Sequence, residues 1–339
     1  EPRCPRSSGQ PPAATLKNAC PSHDFLFEPK LKIMRKKKKT KGFLSFAELL
    51  AEETAAFGNL RKSLRFRTAI RSLRRYLAGR DELEWGEFNG AMLAGYETYM
   101  RRAGLCPNTT SFYMRTLRSI FNVAASRGLT RTVSPFARVY TGIDRTRKRA
   151  IDIDALHLIH RTPLDDAPAL AFARDMFIFS FCTRGMPFID IAYLRKTNLR
   201  DGKIVYLRHK TGQPLSVAIE PVVKNIIDRY SDHDRPWLFP VFTGGEEGEE
   251  RMLVRYNSVY HRVRRNLERL RIRLGLETKI STYVARHSWA SIAKKIDIPI
   301  GVISEALGHD SESTTRIYLA TLDTARIDRA NHLITGLLL

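Results

Sequence analysis

Cysteine is scarce in this chain: the 339 residues contain only Cys4, Cys20, Cys106 and Cys182, with no two at the close spacing that holds a metal. A disulfide scaffold and a zinc site are therefore both excluded as expectations. No apolar run approaches the ~20 residues that cross a bilayer. The polar, proline-containing N-terminus also lacks the pattern of a secretion signal. These absences point to a reducing, cytoplasmic setting away from membranes. Internal repeats and a glycine-rich dinucleotide fingerprint are missing as well, and no carboxylate cluster calls for magnesium, so no metal or other cofactor is expected.

Negative charge is the other shortage. Against 57 Lys and Arg there are 35 Asp and Glu, leaving a net charge of +22 and an isoelectric point near 10.1. That excess is greater than solubility requires. It indicates a polyanionic partner, most simply nucleic acid, with binding that weakens steeply as salt rises. A merely basic surface is the competing reading. The length suits two domains of ordinary size.

Residues 1–42 read as a basic arm or linker. Lys36, Lys37 and Lys38 lie at its densest point, and the charge fits equally a segment that orders on phosphates and a solvated connector. A helical domain is expected over residues 43–128. Phe43, Phe46, Leu49 and Leu50 mark a first amphipathic helix, and Phe66, Ile70, Leu73 and Leu77 form the apolar stripe of a second. The other faces of that second helix carry Arg61, Arg65, Arg67, Arg71 and Arg74, a density of like charge that favours phosphate contact. A third helix is predicted from Trp85 to Met100. Asn108 or Thr109 would cap a fourth after the break at Pro107.

Residues 129–149 read as an exposed basic linker containing Arg147 and Lys148, and a second domain follows over 150–329. In it a buried helix is predicted from Ala169 to Cys182. Two short strands, Ile204–Leu207 and Leu215–Ile219, flank a turn at Lys210-Thr211-Gly212, and helices cover 222–230 and roughly 257–274. The fold class is thus mainly α with one small antiparallel sheet. Residues 330–339 form an apolar tail that could pack on its own domain or on a neighbouring copy.

The segment from Tyr283 to Tyr318 concentrates the chemistry. Arg286 and His287 are adjacent, Gly308 and His309 follow a second short helical pattern, and Tyr318 stands nine residues beyond His309. A phenol near a guanidinium and imidazoles is suited to attack on a phosphodiester. Thr282-Tyr-Val-Ala-Arg-His-Ser-Trp-Ala290, Leu307-Gly-His309 and Thr314-Thr-Arg-Ile-Tyr318 resemble the motifs of the tyrosine recombinase, or phage integrase, family, and are most similar to mobile-element integrases of Bacteroides-like bacteria. The likeness extends over most of residues 43–325. It implies a helical core-binding, SAM-like domain followed by a mostly helical catalytic domain, with the N-terminal stretch a remnant of an arm-binding region.

What the resemblance implies for the site is specific. Tyr318 would be the nucleophile, forming a 3′-phosphotyrosyl link and releasing a 5′-hydroxyl. Arg286 would clamp the phosphate and His309 would donate to it. Lys210, in the predicted hairpin, would protonate the leaving oxygen. Gly308 would permit close backbone approach, with His287 and Asp190 bracing the site. Two departures stand out. Tyr283 occupies a position where the family often has histidine, and Pro187 stands where its first arginine is expected. Arg184, three residues earlier, is the candidate replacement, delivered by a turn at Gly185 and Pro187. The implied partners are double-stranded recombination sites, a homotetramer on two duplexes built from subunits that are monomeric in solution, and DNA-bending accessory proteins. Integration or excision of a mobile element is the leading activity. A DNA invertase or chromosome dimer resolvase would use the same site, while a type IB topoisomerase and a non-catalytic DNA-binding protein are competing classes.

Overall fold

The computed structural model describes residues 41–130, 133–144, 150–232, 234–246, 248–309 and 315. Lys36, Lys37, Lys38, Arg147, Lys148, Tyr318 and the C-terminal tail lie outside the described residues. The chain divides into two compact units at Arg145/Thr146.

The first unit is built of α1 (Phe43–Ala56), α2 (Leu60–Tyr76), α3 (Gly90–Arg102) and α4 (Pro107–Ser126). The entry into α1 is held from a distance. The Glu82 carboxylate accepts from the backbone N–H groups of Leu44 at 2.8 Å and Ser45 at 3.2 Å, while Phe43 N donates to Leu83 O at 2.7 Å. Only glycine fits at position 42, where a Cβ would lie 2.4 Å from Leu83 O. Partial burial pushes the Glu82 carboxyl up, but hydrogen bonds from Ser45, Leu83 and Leu44 outweigh it and hold its pKa below the ordinary glutamate value. The folded state thus gains stability from this group above the unfolded pKa and loses it as pH falls through the lowered folded value. Glu82→Gln is expected to cost about 1 kcal/mol, the usual worth of a helix cap. Thermal melts at pH 7 and at low pH check this, because the difference between the two proteins should shrink in acid.

Phe66, Ile70 and Leu73 on α2 are buried, as their spacing predicts, and Leu77 is buried just past the helix end. Helix α3 begins five residues later than expected. Asn89 caps it by accepting from Ala91 N and Met92 N, while Trp85 packs edge-on against Phe43 at 5.8 Å. Asn108 is not a cap either, because Pro107 opens α4 and places Asn108 inside the helix. Its amide instead brackets the Asp144 backbone, donating to the carbonyl at 3.0 Å and accepting from the N–H at 2.8 Å. The predicted linker is therefore partly folded onto this unit, with Phe136 and Val139 in its core.

The second unit contains α5 (Ile153–Arg161), α6 (Pro168–Cys182), α7 (Phe188–Ala192), strands β1 (Leu199–Arg200), β2 (Lys203–Leu207) and β3 (Pro214–Ala218), then α8 (Pro221–Tyr230), α9 (Glu249–Arg273), α10 (Thr282–Lys295) and α11 (Ile300–Leu307). The fold is mainly helical with one antiparallel sheet of order β1-β2-β3. Helix α6 is apolar on most of its circumference because α9 and α10 both pack against it. In the hairpin Tyr206 pairs with Leu215 and Val205 with Ser216. Ile204 and Tyr206 face the core while Val205 and Leu207 face outward, the period-two alternation of a half-buried strand. Residues 208–213 turn the chain and carry Lys210. Helix α11 closes on Gly308, whose left-handed φ of 62° suits a residue without a Cβ.

Candidate active site

Arg286 sits one turn into α10 with only 3% of its surface exposed. A buried guanidinium needs acceptors, and the fold supplies them from three segments. Nη1 donates to Gly185 O at 2.9 Å, Nη2 donates to Leu307 O at 2.5 Å, and Nη2 lies 3.0 Å from His309 Nε2. Because a guanidinium only donates, His309 Nε2 accepts and the ring proton resides on Nδ1. Nδ1 then donates to Thr315 Oγ1 at 2.7 Å, which fixes the ring of a neutral imidazole.

The backbone of Gly185 presses directly on Arg286. At φ 70° a Cβ there would lie 2.6 Å from Arg286 Cγ and 2.7 Å from its Cα. Gly185→Ala combines left-handed strain with a clash against a helix backbone. It is expected to lower stability by about 2–4 kcal/mol, read by chemical denaturation, and to displace the guanidinium.

A second buried guanidinium, unforeseen from the sequence, enters from the hairpin. Arg208 is 7% exposed and its Nη1 donates to Gly308 O. Its Nε has no hydrogen-bond partner among the described residues, and neither do Asp190 Oδ2 and Gln213 Oε1. Asp190, on α7, accepts from His209 N at 2.9 Å, which ties α7 to the residue preceding Lys210. Burial raises the Asp190 pKa above the usual carboxylate value, against the lowering effects of that bond and of Arg208, His209 and Arg286 nearby. The Tyr206 phenol is likewise pushed up, first by burial and then by Asp190, while Arg286, Arg208 and Arg184 oppose the shift. Three guanidiniums thus act on one phenol.

Arg184 adopts a left-handed backbone at φ 59° and its Nη1 donates to Ser216 O of β3 at 3.3 Å. It faces the hairpin, next to the glycine that touches Arg286. Lys210 is exposed in the hairpin turn. Tyr283 is 52% exposed and meets the edge of His287 at 4.7 Å and 82°, so His287 steadies Tyr283. On α2, Arg61, Arg65, Arg67 and Arg71 are exposed, whereas Arg74 is half-buried and paired with Glu48 at 2.7 Å. Among the described residues no group of three or more His, Cys, Asp or Glu side chains could hold a metal, and no helix is long and apolar enough to cross a membrane.

Two sequence matches bear on this arrangement: residues 42–138 match the phage integrase SAM-like domain and residues 185–324 match the phage integrase family. The chain belongs to the tyrosine recombinase, or phage integrase, superfamily. Among curated relatives of this superfamily, the tyrosine recombinase XerC of Chromohalobacter salexigens is 24% identical over 261 residues, 75% of this chain and 83% of that protein. Among solved structures, a lambda integrase dimer bound to a COC' core site has a TM-score of 0.62 at 16% identity, covering 82% of this chain and 97% of that one. A Tn1549 transposon integrase in complex with transposon right end DNA has a TM-score of 0.59 at 13% identity, covering 88% and 100%. Within the tyrosine recombinase match lie Gly185, Asp190, Arg208, Lys210, Tyr283, Arg286, His309 and Tyr318, while Arg184 sits one residue before it.

Proposed function

We propose that this chain carries out site-specific DNA recombination through a tyrosyl–DNA intermediate. The observation that carries the reading is the buried Arg286 guanidinium held against His309, nine residues before Tyr318. A charge buried at such cost and fixed by carbonyls on both sides is suited to a phosphate whose negative charge grows during attack. Arg208, whose Nε has no partner among the described residues, supplies a second donor to that phosphate. On this reading it takes the role for which the sequence nominates Arg184, whose Nη1 donates to Ser216 O.

In the proposed cycle Tyr318 Oη attacks the scissile phosphorus and its proton passes to water, since His309 Nε2 already accepts from Arg286. The bond from phosphorus to the 5′-oxygen breaks, and Lys210 Nζ gives that oxygen a proton. A 5′-hydroxyl from a second duplex then reverses the chemistry, displacing Tyr318. The bond energy is kept in the phosphotyrosine, so rejoining requires no nucleotide cofactor. Two rounds pass through a Holliday junction in an assembly of four subunits on two duplexes. Integration and excision of a mobile element, of the kind found in Bacteroides-like bacteria, is the form of recombination to which the motifs of the sequence point.

The test begins with nicked duplexes of randomised sequence, incubated with the full chain and recovered by their covalent attachment to protein. Adduct formed by the wild type and abolished in Tyr318→Phe is the expected result. Absence of adduct under conditions of tight binding overturns the enzyme reading in favour of a non-catalytic DNA-binding protein. Two differently labelled copies of a recovered duplex then separate strand transfer, expected here, from supercoil relaxation without transfer, which would indicate topoisomerase action.

A further inference from the structure

Next to Arg286 the second unit contains a cavity of about 220 Å3 whose walls include Pro187, Phe188, Tyr256, Tyr260 and Tyr283. Tyr256 and Tyr260, one turn apart on α9, present rings only 10° from parallel with centroids 5.8 Å apart. Phe188 packs against both, at 6.0 and 5.9 Å. Pro187 places ring carbon, not a cation, beside Arg286.

The lining restricts what can enter. A cation would meet Arg286 within the cavity and Arg264, whose guanidinium lies 5.8 Å from the Tyr260 ring. A bare anion would gain little from aromatic walls. The volume is below the ~300–1,000 Å3 of pockets for drug-sized ligands and suits one flat heterocycle. A neutral ring attached to a phosphate satisfies all three conditions, with the ring on the tyrosines and the phosphate at Arg286.

We infer that this cavity receives one unstacked nucleobase, from the nucleotide adjoining the phosphate held by Arg286. The inference rests on the phosphate role of Arg286 given above. Stacking on tyrosine tolerates any base, so the cavity contributes affinity and local duplex opening more than sequence choice. Opening the helix beside the scissile bond would also free the strand end for exchange.

The test uses duplexes recovered by covalent capture, with the base on either side of the cleaved phosphate removed in turn to leave an abasic sugar. Loss of the inserted base is expected to weaken wild-type binding at least about fivefold, in line with the stacking contribution of one base. Removing its partner on the opposite strand, which eliminates the cost of unpairing, is expected to tighten binding. In Tyr256→Leu/Tyr260→Leu both responses should fall below about twofold. Equal responses in the two proteins, as when protein side chains fill the cavity instead, overturn the inference, and so does an unchanged wild-type affinity on every abasic duplex. The abasic duplexes test the intact wild type, so misfolding of the double variant would not shield the inference. Adduct formation on the unmodified duplex reports the phosphate reading separately.

Discussion

Arg286→Lys is expected to reduce covalent adduct formation by about 10²–10³-fold, the cost of removing a preorganised donor from a developing oxyanion. Charge is retained in this variant, so the loss isolates geometry. The guanidinium reaches Gly185 O, Leu307 O and His309 Nε2 at once from a planar fork. A lysine ammonium is a point donor on a flexible stem and cannot span the three. His309 would also lose the donor that holds its Nε2. Single-turnover cleavage of a nicked duplex measures the effect, and a filter-binding assay on the same DNA should show a far smaller change. Loss of binding equal to the loss of cleavage would assign Arg286 to the scaffold.

Arg208→Ala is the second large expectation. It removes a guanidinium that donates to Gly308 O and leaves Arg286 as the remaining guanidinium near the buried Asp190 carboxyl. Cleavage should fall about 10²-fold, and stability should drop by about 1–3 kcal/mol, the usual cost of leaving a buried carbonyl without its donor. Arg208→Lys restores charge and separates the two effects, with melting near wild type and cleavage still impaired. Arg184→Ala is the control. Its guanidinium bonds a strand carbonyl, so cleavage should change by less than about threefold. A reversal, in which Arg184→Ala abolishes cleavage and Arg208→Ala does not, would return the phosphate role to the turn before Pro187.

The contrast between these arginines shows where the sequence was legible. Regular periodicity exposed α2, α6 and the hairpin, since each buries one face or nearly all of its surface against neighbours. The start of α3 was misplaced because turns over 84–89 shorten the helix, an effect of Asn89 capping that apolar spacing does not register. Arg286 and His309 stood out because their motif is contiguous. Arg208 lies between the predicted strand ending at Leu207 and the turn at Lys210, outside any motif. The signal was available: Ile204, Tyr206 and Arg208 are at alternate positions and all buried, so continuing the strand period would have pointed this side chain inward. Thr315 could not have been found this way. Its role depends on a hydrogen bond to His309 that no local pattern encodes.

The bonds that hold the two buried guanidiniums join residues about a hundred positions apart, 101 between Gly185 and Arg286 and 100 between Arg208 and Gly308. Each such closure costs chain entropy that must be met before the contact gives anything back. The segment from Arg286 to Thr315 can make its own bonds, but the site completes only when Gly185 and Arg208 have closed onto it. During refolding, recovery of cleavage should trail the rise of helical circular dichroism, because helices form from neighbouring residues and this pair of arginines does not.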